Sequence, residues 1–264
     1  MGTTLLEHSE SIDVTNRFVL RYAIEHGGRV LDYGCGAGKV VSAARAQGLE
    51  MFGTDVFYGG SQSRVDAQLT GLLGEVIREM SPEGTIPFPD GYFDLVTNNQ
   101  VMEHVDDLDA VLAEIARVLR PGGTVLSVFP SIDVWREGHI GIPFSHWFPR
   151  GSRVRFLYTW LLRSLGLGTW KNQAPTSRQW AIDKLAWIDQ WTRYRTRREI
   201  FESYNKFFTS TLRESDYIRF RLLDRPGNLR RTLANVMDVP AFAWGARALF
   251  RKLAFLVILS TKTA

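Results

Sequence analysis

Cysteine is nearly absent from the chain, since only one residue, Cys35, occurs among 264. A single thiol excludes an internal disulfide and any zinc site built from several cysteines, and we predict no metal site. A sequence so poor in cysteine is typical of a reducing compartment.

Long apolar runs are also missing. The longest late run covers residues 253–259, which is far shorter than the roughly 20 residues that a membrane-spanning helix requires. The first ten residues contain no basic segment followed by an apolar one, so no secretion signal is expected. A hydrophobic fraction of 45% and a charged fraction of 23% exclude a disordered or collagen-like chain. We therefore expect a folded, cytoplasmic protein.

Positive charge is scarce in the first half of the chain and abundant in the second. Residues 1–135 contain 9 Lys and Arg against 19 Asp and Glu, a net charge of −10, whereas residues 136–264 contain 23 against 9, a net charge of +14. All eight tryptophans lie at or beyond position 135. A second half that is basic and rich in tryptophan suits an anionic or sugar-bearing substrate, nucleic acid or a membrane face. The alternative is a solvated basic surface with tryptophans packed beneath it.

Hydrophobic periodicity predicts strands that alternate with helices through the first half. A weak strand is expected near residues 81–86. Clearer strands are predicted at residues 29–33, 50–55, 93–97 and 124–129, with helices at residues 9–26, 39–47, 62–80 and 108–119. This alternation predicts right-handed crossovers and a parallel sheet that is covered on both faces.

The second half is predicted to complete the same sheet. Residues 130–217 have no clear strand, and residues 217–223 and 254–261 have the composition of two final strands separated by a basic amphipathic stretch. We predict an α/β fold with a doubly wound, mostly parallel, seven-stranded sheet and a large, helical, basic insertion before the last strands. We predict that the chain is divided into three parts: a core (1–135), a helical lid or substrate region (136–216), and the last two strands with a basic helical insertion (217–264).

Three glycines occupy alternate positions between the first predicted strand and the helix that follows, in the segment VLDYGCGAGK, residues 30–39. A dinucleotide fingerprint requires G-x-G-x-x-G/A, but Lys39 or Val41 stands at its last position when Gly34 or Gly36 begins it. A Walker loop is excluded as well, because no Gly-Lys-Ser/Thr follows four spacer residues. The glycines let the backbone turn sharply and approach a ligand without a phosphate group.

This segment resembles the D-x-G-x-G-x-G motif of class I S-adenosylmethionine-dependent methyltransferases, with Asp32, Gly34, Gly36 and Gly38 at the matching positions. Residues 86–96 (IPFPDGYFDLV) and 118–126 (VLRPGGTVL) resemble the family's "LPF…FDxV" and "LxPGGxL" segments, in the same order. The resemblance covers residues 28–130. It implies an S-adenosyl-L-methionine cofactor, a Rossmann-like fold, methyl transfer, and a cofactor-binding role for residues 1–135.

The resemblance also implies which side chains meet the cofactor. Asp32 would accept a hydrogen bond from its ammonium group, and the loop that includes Tyr33 and Cys35 would pass along it. Cys35 is expected to be a small turn residue, because no partner that would activate its thiol is apparent. Asp55 ends the second strand 21 residues after the first motif glycine, where a carboxylate can bridge two ribose hydroxyls, and Val56 would lie near the adenine.

Polar side chains follow the fourth predicted strand, where an open α/β sheet binds its ligand. We expect Asn98, Asn99 and Gln100 to face the cofactor near the transferred methyl group, and capping of the next helix is the alternative. The acidic residue that reads the adenine amino group in this family has no counterpart. Ser81, Glu83 or a backbone group is expected to replace it.

Histidine is the usual base for a hydroxyl acceptor. His104 lies in a Met-Glu-His segment that resembles the "xEH" of family members acting on small molecules, and a structural role is its alternative. His139 and His146 lie in residues 138–148 (GHIGIPFSHWF), a glycine-containing aromatic loop that suits a lid over the methyl group. Surface positions are the alternative for both.

A stripe of tryptophans and a run of arginines stand out further along the chain. The stripe is interpreted as core or as a platform for a sugar, and the run is expected to be exposed and able to meet phosphates. The residues concerned are Trp180, Trp187 and Trp191 in the stripe, and Arg193, Arg195, Arg197 and Arg198 in the run.

These patterns favour a methyltransferase that O-methylates a small-molecule or glycan-like acceptor, with a phosphorylated or lipid-linked acceptor left open. One alternative is an RNA methyltransferase, which the basic half favours, although residues 98–101 lack the Asn/Asp-Pro-Pro-aromatic signature of enzymes that methylate nucleic-acid amino groups. Another is a non-catalytic protein that binds S-adenosylmethionine. Nucleic acid is disfavoured as a partner, and peripheral membrane contact through the basic half stays open.

Overall fold

The computed structural model describes residues 12–57, 62–81 and 83–263. The strands are β1 Arg29–Tyr33, β2 Glu50–Asp55, β3 Ile77–Glu79, β4 Phe93–Asn99, β5 Leu119–Phe129, β6 Phe208–Leu212 and β7 Leu256–Lys262. They form one sheet in the order β3-β2-β1-β4-β5-β7-β6. The first five are parallel, and β7 runs antiparallel to both β5 and β6. The predicted seven-stranded, mostly parallel sheet is confirmed.

Ten α-helices occur among the described residues. They are α1 Val14–His26, α2 Lys39–Arg45, α3 Gln62–Leu69, α4 Leu108–Val118, α5 Arg153–Ser164, α6 Ser177–Trp191, α7 Arg197–Tyr204, α8 Glu214–Leu223, α9 Asn228–Val236 and α10 Pro240–Leu253. Asp13 caps α1 by accepting from the backbone N–H groups of Thr15 and Asn16. The start of the predicted leading helix, residues 9–11, lies outside the described residues. None of the described helices is long and apolar enough to cross a membrane.

Helices cover both faces of the sheet because the central strands carry buried apolar side chains on both sides. On one face, Leu31 and Val96 pack with Leu112 of α4 and Tyr204 of α7. The other face carries residues of α1, α2 and α8, including Phe18, Val40 and Tyr217, packed against Val30 and Leu95. This two-sided burial is the arrangement that parallel strands require.

The third strand and the helix before it differ from the prediction. Helix α3 ends at Leu69 and not near residue 80, and β3 occupies residues 77–79 and not 81–86. Gly71 and Gly74 both have positive φ, which breaks the helix early. Ile77 then pairs with Gly53 of β2 and is fully buried.

The prediction of a strand at residues 217–223 is wrong, because α8 covers them. Tyr217 and Phe220 lie three residues apart, a helical spacing, and both rings contact Phe18 of α1. The sixth strand is β6 instead, within the region predicted to be without strands. Its sequence FTSTL has few apolar residues because it is an edge strand, so its periodicity is weak. The second predicted final strand, at residues 254–261, is confirmed as β7.

Strand order places a crevice at the carboxyl ends of β1 and β4. From β1 the chain winds outward through β2 and β3, and it then returns to the other side of β1 as β4. Ligands of open α/β sheets bind at such a reversal of direction. The glycine loop after β1 and the polar residues after β4 therefore meet at one edge of the sheet.

Candidate active site

The loop after β1 has a backbone that only glycine adopts easily. Gly34, Gly36 and Gly38 have φ angles of 76°, 52° and 73°. A Cβ atom on Gly34 would lie 2.4 Å from the side chain of Val101, whereas one on Gly36 would meet no atom within 4 Å. The N–H groups of Gly34 and Cys35 both donate to the carbonyl of Thr54, which ties the loop to β2. The loop is therefore fixed, with Gly36 facing open space.

That open space is a cavity of about 770 Å³ at the carboxyl ends of β1 and β4. The start of α1, the glycine loop, the end of β4 and the segments after β5 and before β7 line it. Its residues are Asp13, Thr15, Asn16, Asp32, Gly34, Cys35, Gly36, Ala37, Lys39, Val40, Asn99, Gln100, Pro130, Val134, Arg136, Gly138, Thr169, Leu253, Ala254 and Phe255. Its volume lies within the range of small-molecule and cofactor sites.

Asp32 supplies a carboxyl group to this cavity. Burial raises its pKa to about 7, although a hydrogen bond from Thr97 Oγ1 at 3.0 Å partly opposes the shift. Asn99 also lines the cavity and donates to Asn16 Oδ1 at 2.7 Å, while its own Oδ1 has no hydrogen-bond partner among the described residues. A cationic ammonium group fits this pair. It would favour the ionised form of Asp32, and it would donate a hydrogen bond to Asn99 Oδ1.

Asp55 ends β2 and holds the glycine loop in place. Its Oδ2 accepts from Gly36 N at 2.8 Å, and its Oδ1 accepts from Phe57 N at 3.1 Å. Each carboxylate oxygen has a second lone pair, so both keep the capacity to accept from a ligand hydroxyl. Val56 beside it is half-buried and packs against the sheet core. Neither Asp55 nor Val56 is among the residues that line the cavity.

Several predicted cofactor residues do not line the cavity. Tyr33 is buried in the core on one face of the sheet, and Gly38 forms the start of α2. Asn98 is fully buried, and its Nδ2 donates to Ser127 Oγ at 2.9 Å. Side chains alternate along β4, so Asn98 points to the face opposite that of Asn99. Asn99 and Gln100 are the residues of this trio that reach the cavity.

Cys35 lines the cavity but lacks the environment of a nucleophile. Burial raises the pKa of its thiol, and the nearby Asp32 and Asp55 carboxyl groups add to the shift. The thiol therefore stays protonated. Ser81, one of the groups expected near the adenine, accepts from Thr85 N at 3.2 Å.

Two of the three predicted histidines meet beside this cavity. Nε2 of His139 lies 3.3 Å from Nε2 of His104, which follows β4 in a short 3-10 turn, Met102–His104. His104 Nδ1 lies 2.6 Å from the backbone oxygen of Trp191. Burial lowers the pKa of His104.

Glu137 orients His139. Its Oε1 lies 2.7 Å from His139 Nδ1, and the carboxylate also accepts from Tyr194 Oη and from Ile140 N. Burial would raise the pKa of Glu137, but these hydrogen bonds and the charge of His139 lower it. For His139 burial would lower the pKa, and the hydrogen bond and charge of Glu137 outweigh it, so the pKa is raised.

His146 occupies a different position. It is buried, its ring lies 4.8 Å from that of Tyr194, and it is outside the lining of the cavity. Burial lowers its pKa. Residues 145–147, within the loop predicted to be a lid, form a 3-10 turn. His104 is the histidine that His139 contacts, and His146 is not part of that pair.

A second cavity of about 380 Å³ adjoins the first. It is lined by Gly138, His139, Ile140, Trp170, Lys184 and Trp187, and Gly138 lines both cavities. The ring of Trp187 lies 5.2 Å from that of His139. We call this space the acceptor pocket.

The tryptophan stripe divides between core and pocket. Trp180 is fully buried beside Ile140, whereas Trp187 is 40% exposed and lines the acceptor pocket. Their spacing along a helix predicted one common stripe, and only the packing of α6 against Ile140 and Ile142 separated their surroundings.

The expectation that the arginine run is exposed holds for Arg197 and Arg198, whereas Arg193 and Arg195 are partly buried. Arg195 donates to the carbonyls of Met102, Val105 and Asp106. Arg193 pairs with Asp106 at 2.6 Å, and Arg197 pairs with Asp133 at 3.0 Å. Much of the basic run is therefore used to hold the segment before α7 against the acidic first half.

Sequence reasoning missed the acidic residues of the site. Glu103 is fully buried next to His104, and burial raises its pKa to about 7. Together with His104 and His139 it forms a group whose ligand atoms lie within 4.8 Å of one another. The prediction of no metal site did not consider this group. Two sequence patterns could have indicated these acidic residues, namely the neighbours Glu103-His104 and the spacing Glu137-x-His139.

The sheet, the glycine loop and the cavity at the strand reversal define a class I, Rossmann-like fold that binds S-adenosylmethionine. A family model described as "Methyltransferase domain" matches residues 8–205. The chain belongs to that methyltransferase family, whose cofactor is S-adenosyl-L-methionine.

Relatives share parts of this chain. It is 34% identical over 112 residues to "Methyltransferase GfsG" of Streptomyces halstedii, covering 42% of this chain and 40% of that protein. It is 30% identical over 132 residues to a "Ubiquinone biosynthesis O-methyltransferase" of Mesorhizobium japonicum, covering 48% and 51%. The matched segments thus span about half of these relatives or less. A solved S-adenosylmethionine-dependent methyltransferase of Mesorhizobium loti shares the fold, with 18% identity, a TM-score of 0.52, and coverage of 92% and 95%.

Proposed function

We propose that the chain O-methylates a hydroxyl group of a small or glycan-like acceptor that lies in the acceptor pocket. The observation that carries this proposal is the position of His139. His139 lines the acceptor pocket. The residue before it, Gly138, lines both this pocket and the larger cavity at the carboxyl ends of β1 and β4, which we assign to the cofactor and call the cofactor cavity. A hydroxyl placed beside His139 is therefore next to the space for the methyl donor.

The chemistry requires little from the protein beyond position and proton removal. S-adenosylmethionine supplies a methyl group on a sulfonium sulfur. Asp32 and Asn99 would hold its amino-acid end, and Asp55 its ribose. Glu137 fixes the ring of His139 through Nδ1, and His139 Nε2 then points toward His104. In this proposal the acceptor proton is removed at the pair of His139 and His104.

The pocket walls support a ring-shaped acceptor. Trp187 and Trp170 are 40% and 64% exposed, so their faces are available for stacking. Lys184 lies at the same pocket and suits an anionic substituent. A volume of about 380 Å³ is enough for one sugar or aromatic ring. Methylation of oxygen is further supported by the name of the Mesorhizobium japonicum relative, an O-methyltransferase of ubiquinone biosynthesis.

The RNA alternative has less support. Arg193, Arg195 and Arg197 are engaged with carbonyl and carboxylate oxygens of the protein itself. Phosphate binding would need these groups free.

A lipid-linked acceptor is supported by the surface of α9 and α10. Leu229, Phe242 and Trp244 are 72%, 42% and 70% exposed on these helices, which also carry arginines. Exposed apolar residues beside basic ones are typical of a helix that lies on an anionic membrane. Leu253, at the end of α10, also lines the cofactor cavity. We therefore propose peripheral membrane contact here, tested by flotation with anionic and with neutral lipid vesicles. Equal binding to both kinds, or binding to neither, would contradict it.

Transfer of a radiolabelled methyl group tests the main proposal. The full chain is incubated with labelled S-adenosylmethionine and with separated sugar, lipid and RNA fractions of a cell extract, and the methylated atom is identified by mass spectrometry. We expect methyl ethers in the sugar or lipid fraction. Trp187→Ala should raise KM for the acceptor about tenfold, whereas Trp160→Ala, a tryptophan outside both cavities, should not. Label confined to RNA, or to nitrogen or carbon atoms, would contradict the proposal.

A further inference from the structure

Hydrogen bonds fix the tautomers of the two histidines in the active site. Nδ1 of His104 faces a backbone carbonyl, that of Trp191, and a carbonyl only accepts, so this nitrogen carries a proton. Nδ1 of His139 faces Glu137, whose carboxylate also accepts from Tyr194 and Ile140. Nδ1 of His139 therefore also carries a proton and donates it to Glu137. In the neutral rings both Nε2 atoms then present lone pairs to each other at 3.3 Å.

Two lone pairs at this distance need a positive species between them, either a proton or a metal ion. The surroundings of Glu103 favour the metal ion over the proton. Its side chain is fully buried, and neither carboxylate oxygen has a hydrogen-bond partner among the described residues. A proton shared by the histidines would leave this buried carboxylate unsatisfied, and a divalent cation would satisfy all three groups.

We propose that Glu103, His104 and His139 bind one divalent transition-metal ion, with Zn²⁺ as the best match, at the inner end of the acceptor pocket. Two imidazole nitrogens that bind zinc at about 2.05 Å in tetrahedral geometry are about 3.3 Å apart. The observed separation is 3.3 Å. Two histidines and one glutamate leave the fourth position open, as in catalytic zinc sites.

The surroundings of the ligands are those of a metal site. Histidines that bind metals donate their second ring N–H to a carboxylate or a carbonyl oxygen, which orients the ring and raises its basicity. His139 donates to Glu137 and His104 to Trp191. Arg193 N donates to the Glu103 carbonyl at 2.6 Å, so the segment after α6 holds this turn in place. His139 lines the acceptor pocket, so an ion that it held would lie next to the acceptor.

This inference rests on the proposed function for the role of the ion. A hydroxyl bound to the metal loses its proton more readily, and that proton would pass to water in the pocket. The acceptor oxygen would then form a bond to the methyl carbon while the carbon–sulfur bond breaks and sulfur keeps the electron pair. The metal would thus activate the acceptor in place of proton removal by the histidine pair, and His139 would act as a ligand of the metal.

Metal content of the full chain tests the site without any acceptor. We expect about one equivalent of metal after purification, its loss on dialysis against a chelator, and its return with Zn²⁺ by calorimetry. Co²⁺ in place of Zn²⁺ should give the visible absorption bands of a four-coordinate ion. Glu103→Gln and His139→Ala should lose this spectrum. Glu137→Gln should weaken metal affinity about 10- to 100-fold by releasing the His139 ring.

Two controls keep the outcome clear. His26→Ala removes a histidine far from the site and should retain the metal, and circular dichroism shows whether each variant folds. If the folded parent binds neither Zn²⁺ nor Co²⁺, the metal site is excluded. Methyl transfer that survives chelator dialysis would then leave the proposed function intact, with a proton shared between the histidines. Loss of the metal from Glu103→Gln and His26→Ala alike would also overturn the site.

Discussion

His104 and His139 lie 35 residues apart in the chain, and their Nε2 atoms are 3.3 Å apart in the fold. One follows β4 and the other follows β5, which are adjacent parallel strands. Their carboxyl ends open at the same edge of the sheet, beside the cofactor cavity.

Replacement of Gly36 by valine should abolish binding of S-adenosylmethionine. A side chain at this position would project into the open cavity, since no atom lies within 4 Å of its Cβ. Calorimetry measures the effect. Gly48→Val is a matched control, because Gly48 also has a positive φ, of 82°, and an unobstructed Cβ position. Unchanged affinity in Gly36→Val, or equal loss in both variants, would contradict the assignment of the cavity.

Asp55→Ala should weaken cofactor binding by about 1–3 kcal/mol, the cost of leaving hydroxyl groups without a charged acceptor. The substitution also removes the acceptor of Gly36 N, so the glycine loop becomes less fixed. Asp66→Ala on α3 serves as the comparison, because its carboxylate accepts from an exposed Gln62. If Asp66→Ala weakens binding more than Asp55→Ala does, the ribose site has been misplaced.

Cofactor affinity should depend on pH through Asp32. Its pKa in the free protein is raised to about 7 by burial, so below that pH the carboxyl group is largely neutral. A cationic ammonium needs the ionised form, and binding must then release a proton. Affinity should increase as pH rises from 6 to 8, by up to about tenfold per unit on the acid side. Asp32→Asn should bind weakly and without this dependence. An affinity of the parent that is constant across this range would exclude the role.

His139→Ala should lower turnover by about 10² to 10⁴, the usual contribution of proton removal. Cofactor affinity should change little, because His139 lies in the acceptor pocket. His146→Ala should have a smaller effect, since its ring lies behind Tyr194 and outside both cavities. The measurement is single-turnover methyl transfer with saturating cofactor. Full turnover in His139→Ala would require another means of activating the acceptor.

RNA should bind weakly at physiological salt. Tight binding requires several free cations, each of which releases a counterion from a phosphate and makes affinity fall with salt. In the arginine run, Arg198 alone has a largely exposed side chain, at 86%, and even it pairs with Glu202. Filter binding over a salt series gives the affinity. A sub-micromolar, salt-sensitive complex would favour the RNA alternative.

The cofactor half could be predicted from the sequence because its signals are contiguous. Asp32 and the three glycines lie within seven residues of one strand–loop–helix unit, and the strand fixes where the loop stands. The alternation of strands and helices then gives the parallel sheet. Two errors concern helices, since α3 ends early and α8 covers residues predicted to be a strand. The others concern short or edge strands: β3 has three residues, and β6 is an edge strand with few apolar positions. Such elements take their conformation from the strand with which they pair, so local periodicity does not reveal them.

The acceptor half was decided by tertiary structure. His104, His139 and His146 are equivalent as residue types, but packing joined the first two and moved the third behind Tyr194. Likewise the charge of the arginine run was visible in the sequence, but its contacts were not, because the partners of Arg195 lie about 90 residues away and that of Arg197 lies 64 residues away. The parallel strands, the glycine loop and the cofactor could be inferred from the sequence, since residues that are neighbours along the chain encode them. Only the fold decided which histidines meet and that a buried Glu103 accompanies them, since contact between separate loops depends on how the strands beneath them pack.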